Sequence, residues 1–122
     1  MTAPNIAGLT TVTGKTNTDA IISSNSTTLV SCASSSNKVV KVNSIIVSNI
    51  DGTNAADVDV VFEKNGDNTD YYLAKAISVP AKTTLVVLSK DTQLYLEEGD
   101  TITAQASADG DLQAITSFEE IS

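Results

Sequence analysis

From residue 28 onward the chain reads as short runs in which apolar and polar residues alternate, separated by clusters of Ser, Asn, Asp and Gly. Period-2 alternation predicts β-strands with one buried face. A first strand over 28–33 ends in the turn cluster Ser34-Ser35-Ser36-Asn37. The longest apolar segment, 39–50, carries Val40 and Val42 on one parity and Ile45 and Val47 on the other. A β-bulge near Asn43-Ser44 would keep both halves facing the core. Val58, Val60 and Phe62 then alternate with Asp57, Asp59 and Glu63, and Asn65-Gly66 starts a turn. In the next strand Tyr71, Leu73, Ile77 and Val79 share a parity, with Ala74 and Ala76 opposite, and Pro80 ends it for want of an N–H. The run 84–88 is apolar on both faces, which predicts a strand deep in the fold. Residues 94–96 lead into Glu97-Glu98-Gly99-Asp100, expected as an exposed turn. Ile102, Ala104 and Ala106 alternate with polar residues, and Asp109-Gly110 is expected to close a hairpin onto 112–118.

Eight or nine strands at intervals of about 8–12 residues, with no sustained helical period, predict an all-β fold: an antiparallel β-sandwich, jelly-roll-like. Residues 27–122 form the sandwich domain in this reading. Residues 1–26 are polar and weakly patterned, with Ile6, Leu9 and Val12 widely spaced and Ile21-Ile22 an isolated pair. They are expected to form an extended N-terminal arm or an edge strand, tied down by whatever it touches. Ile6, Leu9, Val12, Ile21 and Ile22 are therefore candidate interface residues, joined by Tyr72 on the alanine face of its strand.

Composition narrows the functions. Of 122 residues, 30 are Ser or Thr, all seven bases are Lys, and the net charge is −8. A chain this acidic and without Arg is a poor partner for phosphate backbones or anionic membranes. The longest aliphatic run is four residues, 85–88, against about 20 for a membrane-spanning helix. The first 20 residues lack a basic start and apolar block, so no signal peptide is expected, and synthesis in a cytoplasm fits. One cysteine, Cys32, cannot pair within the chain.

Catalytic chemistry has little to work with. The absence of His removes the imidazole base of Ser-His and Cys-His pairs. Ser89-Lys90 are adjacent and would point to opposite faces of a strand. Cys32 sits in an apolar run and reads as a small core residue. Asp57 and Asp59 share a strand face without the cleft a glycosidase pair needs. Residues 65–70 (NGDNTD) are rich in the hard oxygen donors that Ca²⁺ prefers, yet lack the terminal Glu of an EF-hand loop; a turn using Asn, Gly and Asp for their backbone freedom is the simpler reading. Asn25-Ser26-Thr27 matches the glycosylation pattern but has no secretory context. With no Trp, a sugar platform would rest on Tyr72, which serves equally as an interface anchor. The chain is expected to be no enzyme and to need no cofactor or metal.

Four segments together carry a resemblance: 42–58 (VNSIIVSNIDGTNAADV), 74–81 (AKAISVPA), 95–102 (YLEEGDTI) and 117–122 (SFEEIS). In this order they resemble small virion structural proteins of marine tailed bacteriophages, including phages of cyanobacteria, over residues 42–122. The resemblance implies a β-sandwich displayed many times on a virion, made in the host cytoplasm. It further implies partners among the other virion proteins: the major capsid protein if the chain decorates the head as a cement protein, or neck, collar and tail proteins if it is an appendage, with or without a receptor- or glycan-binding role. Small size, acidity and the polar arm favour head decoration, as a homotrimer, with the arm lying along the shell.

Overall fold

A computed structural model describes residue 8 and residues 11–122 of the chain. Nine strands follow in order: β1 (Val12–Ile21), β2 (Thr27–Ser31), β3 (Val39–Asn49), β4 (Ala56–Glu63), β5 (Asp70–Val79), β6 (Thr84–Leu88), β7 (Leu94–Leu96), β8 (Thr101–Ala106) and β9 (Leu112–Ile121). They form two antiparallel sheets. One has the order β1-β9-β3-β6, with β7 also pairing β3; the other has the order β2-β8-β4-β5. Because β9 occupies one side of β3, β6 and β7 share the other side. They act as one strand interrupted by a 3-10 turn at Lys90–Thr92. With β6 and β7 counted together, these are the two four-stranded sheets of a jelly roll. The core between them includes Ile21, Leu29, Val42, Val58, Leu96 and Leu112, all at most 1% exposed.

The strand boundaries follow the alternation closely, and the bulge in β3 is present. Its register against β9 shifts between Val42 and Ser44, and Val40, Val42, Ile45 and Val47 are all buried. The segment expected as arm or edge strand supplies β1, which pairs β9 without interruption from Val12↔Ile121 to Ile21↔Leu112. The sandwich therefore begins within 1–26 rather than at residue 27.

Four local expectations are corrected. Asp109-Gly110 makes a turn, with Gly110 at φ +82°, but not a hairpin: β8 and β9 lie in different sheets. The Asp109 carboxylate is held instead by the backbone N–H and hydroxyl of Ser23, at 2.7 and 2.9 Å, so the turn is anchored to the β1–β2 connection. The run 84–88 is an edge strand, with Val86 58% exposed. In β5, Ala74 is buried while Tyr71 and Ile77 are exposed. Two register shifts against β4 and a positive φ at Ala76 break the parity that the sequence pattern assumed. In the turn after β7, Glu98 and Asp100 are buried, at 3% and 0% exposure.

Candidate functional site

The two outward faces of the sandwich differ in chemistry. On the β1-β9-β3-β6 sheet, alternation places every second residue outward, and the register aligns these into rows across the strands. One row is Thr18–Ile115–Ile46–Val86, with Ile115 and Val86 40% and 58% exposed. Beside it lies Ala20–Gln113–Ser48–Thr84, in which Ser48 Oγ and Thr84 Oγ1 are 3.2 Å apart. On the other side is Thr16–Ser117–Ser44, then Gly14–Glu119–Lys41–Tyr95. Those four rows hold one acid and one base, and the two sit directly opposite each other on neighbouring strands.

The β2-β8-β4-β5 sheet is acidic on its outward face. Asp57, Asp59 and Glu63 alternate with buried Val58 and Val60, and Glu63 lies opposite Asp70. Tyr72 is on this face, 43% exposed, with the Lys75 ammonium 4.2 Å from its ring centroid and 3.2 Å from its hydroxyl. One face of the ring that a sugar would stack on is thus occupied by Lys75.

The sheet edges differ as well. β2 has five residues and a register shift against β8; β6 has five and a shift against β3; β7 has three; β5 has two shifts. Short and bulged edges resist further pairing. β1 has ten residues in one continuous register, and no described strand pairs its other side. Its inward parity carries Lys15, Asn17 and Asp19 before reaching buried Ile21. Asn17 Nδ2 donates to the Leu29 carbonyl at 2.9 Å, linking the β1 and β2 edges. Lys15 pairs with Glu120 at 2.8 Å, and Lys38 approaches it at 3.6 Å. These cations, the Lys15 hydrogen bond first, hold the Glu120 carboxyl below the usual glutamate range.

The predicted interface residues do not form one surface. Ile6 and Leu9 lie outside the described residues. Val12 is half exposed at the start of β1, and Ile22 is 36% exposed just past its end. Tyr72 belongs to the other sheet. Ile21 is fully buried in the core and is unavailable to a partner. Part of the sheet-wide row through Ile115, Ile46 and Val86 had a signal in the sequence: Ile46 lies between Ser44 and Ser48, and Ile115 between Gln113 and Ser117, on the polar parity of their strands.

At one end of the sandwich, buried acids tie three connections together. Asp100 Oδ1 accepts from the Asn65 N–H at 3.0 Å, and its Oδ2 accepts from the Glu97 N–H at 2.9 Å and from Lys64 Nζ at 3.1 Å. Glu98 accepts from the Asn37 N–H at 2.8 Å. Backbone bonds join Cys32 N–H to the Asp100 carbonyl and Gly99 N–H to the Cys32 carbonyl. Lys64 also pairs with Glu97, and that bond raises the Lys64 pKa. Burial pushes the Cys32 thiol up, and its sulfur donates to the Lys38 carbonyl at 3.3 Å. In the candidate calcium loop, Asp67 is engaged locally: Oδ1 accepts from the Thr69 N–H and Oδ2 from the Tyr71 hydroxyl. Among the described residues no group of three or more His, Cys, Asp or Glu is arranged to hold a metal ion.

The chain matches no protein-family model and no curated protein. Among solved structures, it is similar to a protein of Bacillus endospore appendages, described as forming a family of disulfide-linked pili. The match covers 98% of this chain and 95% of that one, at 12% identity and a TM-score of 0.49, a likeness too slight to bear on fold or function.

Proposed function

We propose that this chain is a structural protein of a tailed-bacteriophage virion, a decoration protein that seats on the assembled head and reinforces it by bridging neighbouring subunits. The reading rests on the resemblance over residues 42–122, and one observation gives it a mechanism: β1 is a long, unbulged edge whose outer side no described strand pairs. Such an edge accepts an extended segment of a partner through main-chain hydrogen bonds, with affinity set by strand pairing and buried area. Repetition over a symmetric shell multiplies modest single contacts. A receptor- or glycan-binding role is the weaker reading, because Lys75 occupies a face of the Tyr72 ring. Among the described residues no helix is long and apolar enough to cross a membrane.

Electron microscopy of virions labelled with an antibody against the chain tests the proposal. Dense label over the head is expected. Label confined to the neck or tail replaces decoration with an appendage role, and unlabelled virions overturn the virion reading. The arm is tested separately by deleting residues 2–10, which leaves β1 whole. Loss of particle association in that variant assigns docking to the arm, and retained association leaves it to the β1 edge. A deletion of residues 2–20 would instead strip β1 from β9 and confound docking with folding.

A further inference from the structure

We infer that the outward face of the β1-β9-β3-β6 sheet is the contact between two copies of this chain. The copies are related by a two-fold axis running along the strands, between β9 and β3.

Charge selects the face. Each copy carries −8, so two copies repel wherever their acids meet. The opposite sheet presents Asp57, Asp59, Glu63 and Asp70, with Lys75 over Tyr72 offsetting only one of them. The β1-β9-β3-β6 sheet presents Lys41 and Glu119, which cancel. Neither has an ion-pair partner among the described residues, whose lysine ion pairs go to Glu120, Glu97 and Asp100.

Register selects the axis. The sheet order β1-β9-β3-β6 is centred between β9 and β3. A two-fold axis there lays β9 over the partner's β3, and β1 over the partner's β6. Each cross-strand row then covers its own counterpart in reverse. Glu119 comes over the partner's Lys41 and Lys41 over the partner's Glu119, because the two are register neighbours on the central strands. The same operation sets Ile115 over the partner's Ile46, and Thr18 over the partner's Val86. One axis therefore matches both the charges and the exposed apolar row, as an isologous interface requires.

Area is sufficient. Four strands at about 4.8 Å spacing and roughly ten residues long give on the order of 600 Å² per copy. The total of about 1,200 Å² is at the lower bound of specific, stable interfaces, so a reversible dimer with a dissociation constant on the order of micromolar is expected. The contact is two-fold, unlike the three-fold association expected from the chain's size, acidity and polar arm. If the decoration reading also holds, the dimer has a use: the two β1 edges lie on opposite sides of it, so it can span two docking sites.

Sedimentation velocity on the purified full chain over a concentration series tests the inference, with melting curves confirming that each variant folds. The wild type should dimerise reversibly. Lys41→Glu and Glu119→Lys, each alone, place like charges across the axis twice and should weaken dimerisation about tenfold or more. An equal mixture of the two should form a heterodimer at near wild-type affinity, because each copy then supplies the sign the other needs. Ile115→Lys should remain monomeric. A wild type that stays monomeric or sediments as a trimer overturns the inference, as does a mixture no tighter than its components. The virion labelling above is read independently: a dimer with unlabelled virions keeps the dimer and removes the decoration reading.

Discussion

Asp100→Ala should be among the most damaging single substitutions in this chain. The carboxylate is fully buried and accepts from two backbone N–H groups, on Glu97 and Asn65, and from the Lys64 ammonium. Truncation leaves both N–H groups without that acceptor, each costing about 1–3 kcal/mol if water does not reach it. Loss of the Lys64 pair adds little to this, because that ammonium is 41% exposed and keeps Glu97 as a partner. A domain this size is stable by roughly 5–15 kcal/mol, so the loss is a large fraction. Asp100→Asn keeps one acceptor oxygen but turns an NH₂ toward a donor, and should cost about 2–3 kcal/mol. Glu97→Gln is the control. Its pair with Lys64 joins side chains 58% and 41% exposed, so after solvent screening the change should stay within about 0.5 kcal/mol. Urea unfolding followed by circular dichroism measures all three, with a common slope showing that the unfolded state is unchanged. The reasoning fails if Asp100→Ala falls within about 1 kcal/mol of wild type, or if Glu97→Gln costs as much as Asp100→Ala.

Three further predictions use separate features. Gly99→Ala should cost more than Gly66→Ala: both sit near φ +80°, at +87° and +80°, but only at Gly99 would a Cβ meet the Asn65 side chain, 2.5 Å away, so about 1 kcal/mol is expected at Gly66 and clearly more at Gly99 in the same urea assay. Thr116 is fully buried and its hydroxyl has no hydrogen-bond partner among the described residues; Thr116→Val should be neutral or stabilising by up to about 1 kcal/mol, and a loss of that size in a thermal melt would reveal a partner for the hydroxyl. Glu120 is held below its ordinary value of 4.5 by Lys15 first and Lys38 next, so its charged form favours the folded state. That contribution is present above pH 4.5 and is lost as pH falls through the lowered folded-state value. Wild type should therefore melt above Glu120→Gln at pH 7, and the gap should close on acidification; a gap that widens refutes the assignment.

Strand existence was legible because alternation is a direct record of a half-buried sheet, as in β4 and β8. The β3 bulge was legible for the same reason. In a strand buried along its length, a phase change between Val42 and Ile45 turns one half away from the core unless an extra residue restores the facing. What failed were inferences about partners. Residues 84–88 are apolar on both parities, which suggests a central strand, but the face bearing Val86 looks outward from a sheet edge. Asp109-Gly110 specifies a turn and says nothing of which sheet receives the strand beyond it. Glu98 and Asp100 read as solvent-exposed because acids in a Gly-containing turn usually are. Their burial depends on the N–H donors of Asn37, Asn65 and Glu97, two of which come from connections distant in sequence.

That same dependence explains how an acidic chain reconciles folding with assembly. Asp100 and Glu98 are spent on backbone donors that would otherwise need water, at the end where β2–β3, β4–β5 and β7–β8 meet. Asp57, Asp59, Glu63 and Asp70 gather on one outward face. The remaining outward face is left with a balanced Lys41 and Glu119, and it is also the face that carries the in-register row Thr18–Ile115–Ile46–Val86. Solubility and contact are thus assigned to opposite sides of one sandwich. Substitutions that add acid to the β4–β5 face should leave self-association unchanged, whereas one acid at Ile115 should abolish it. Equal effects of the two in sedimentation would mean that net charge, and not the face, governs how the copies meet.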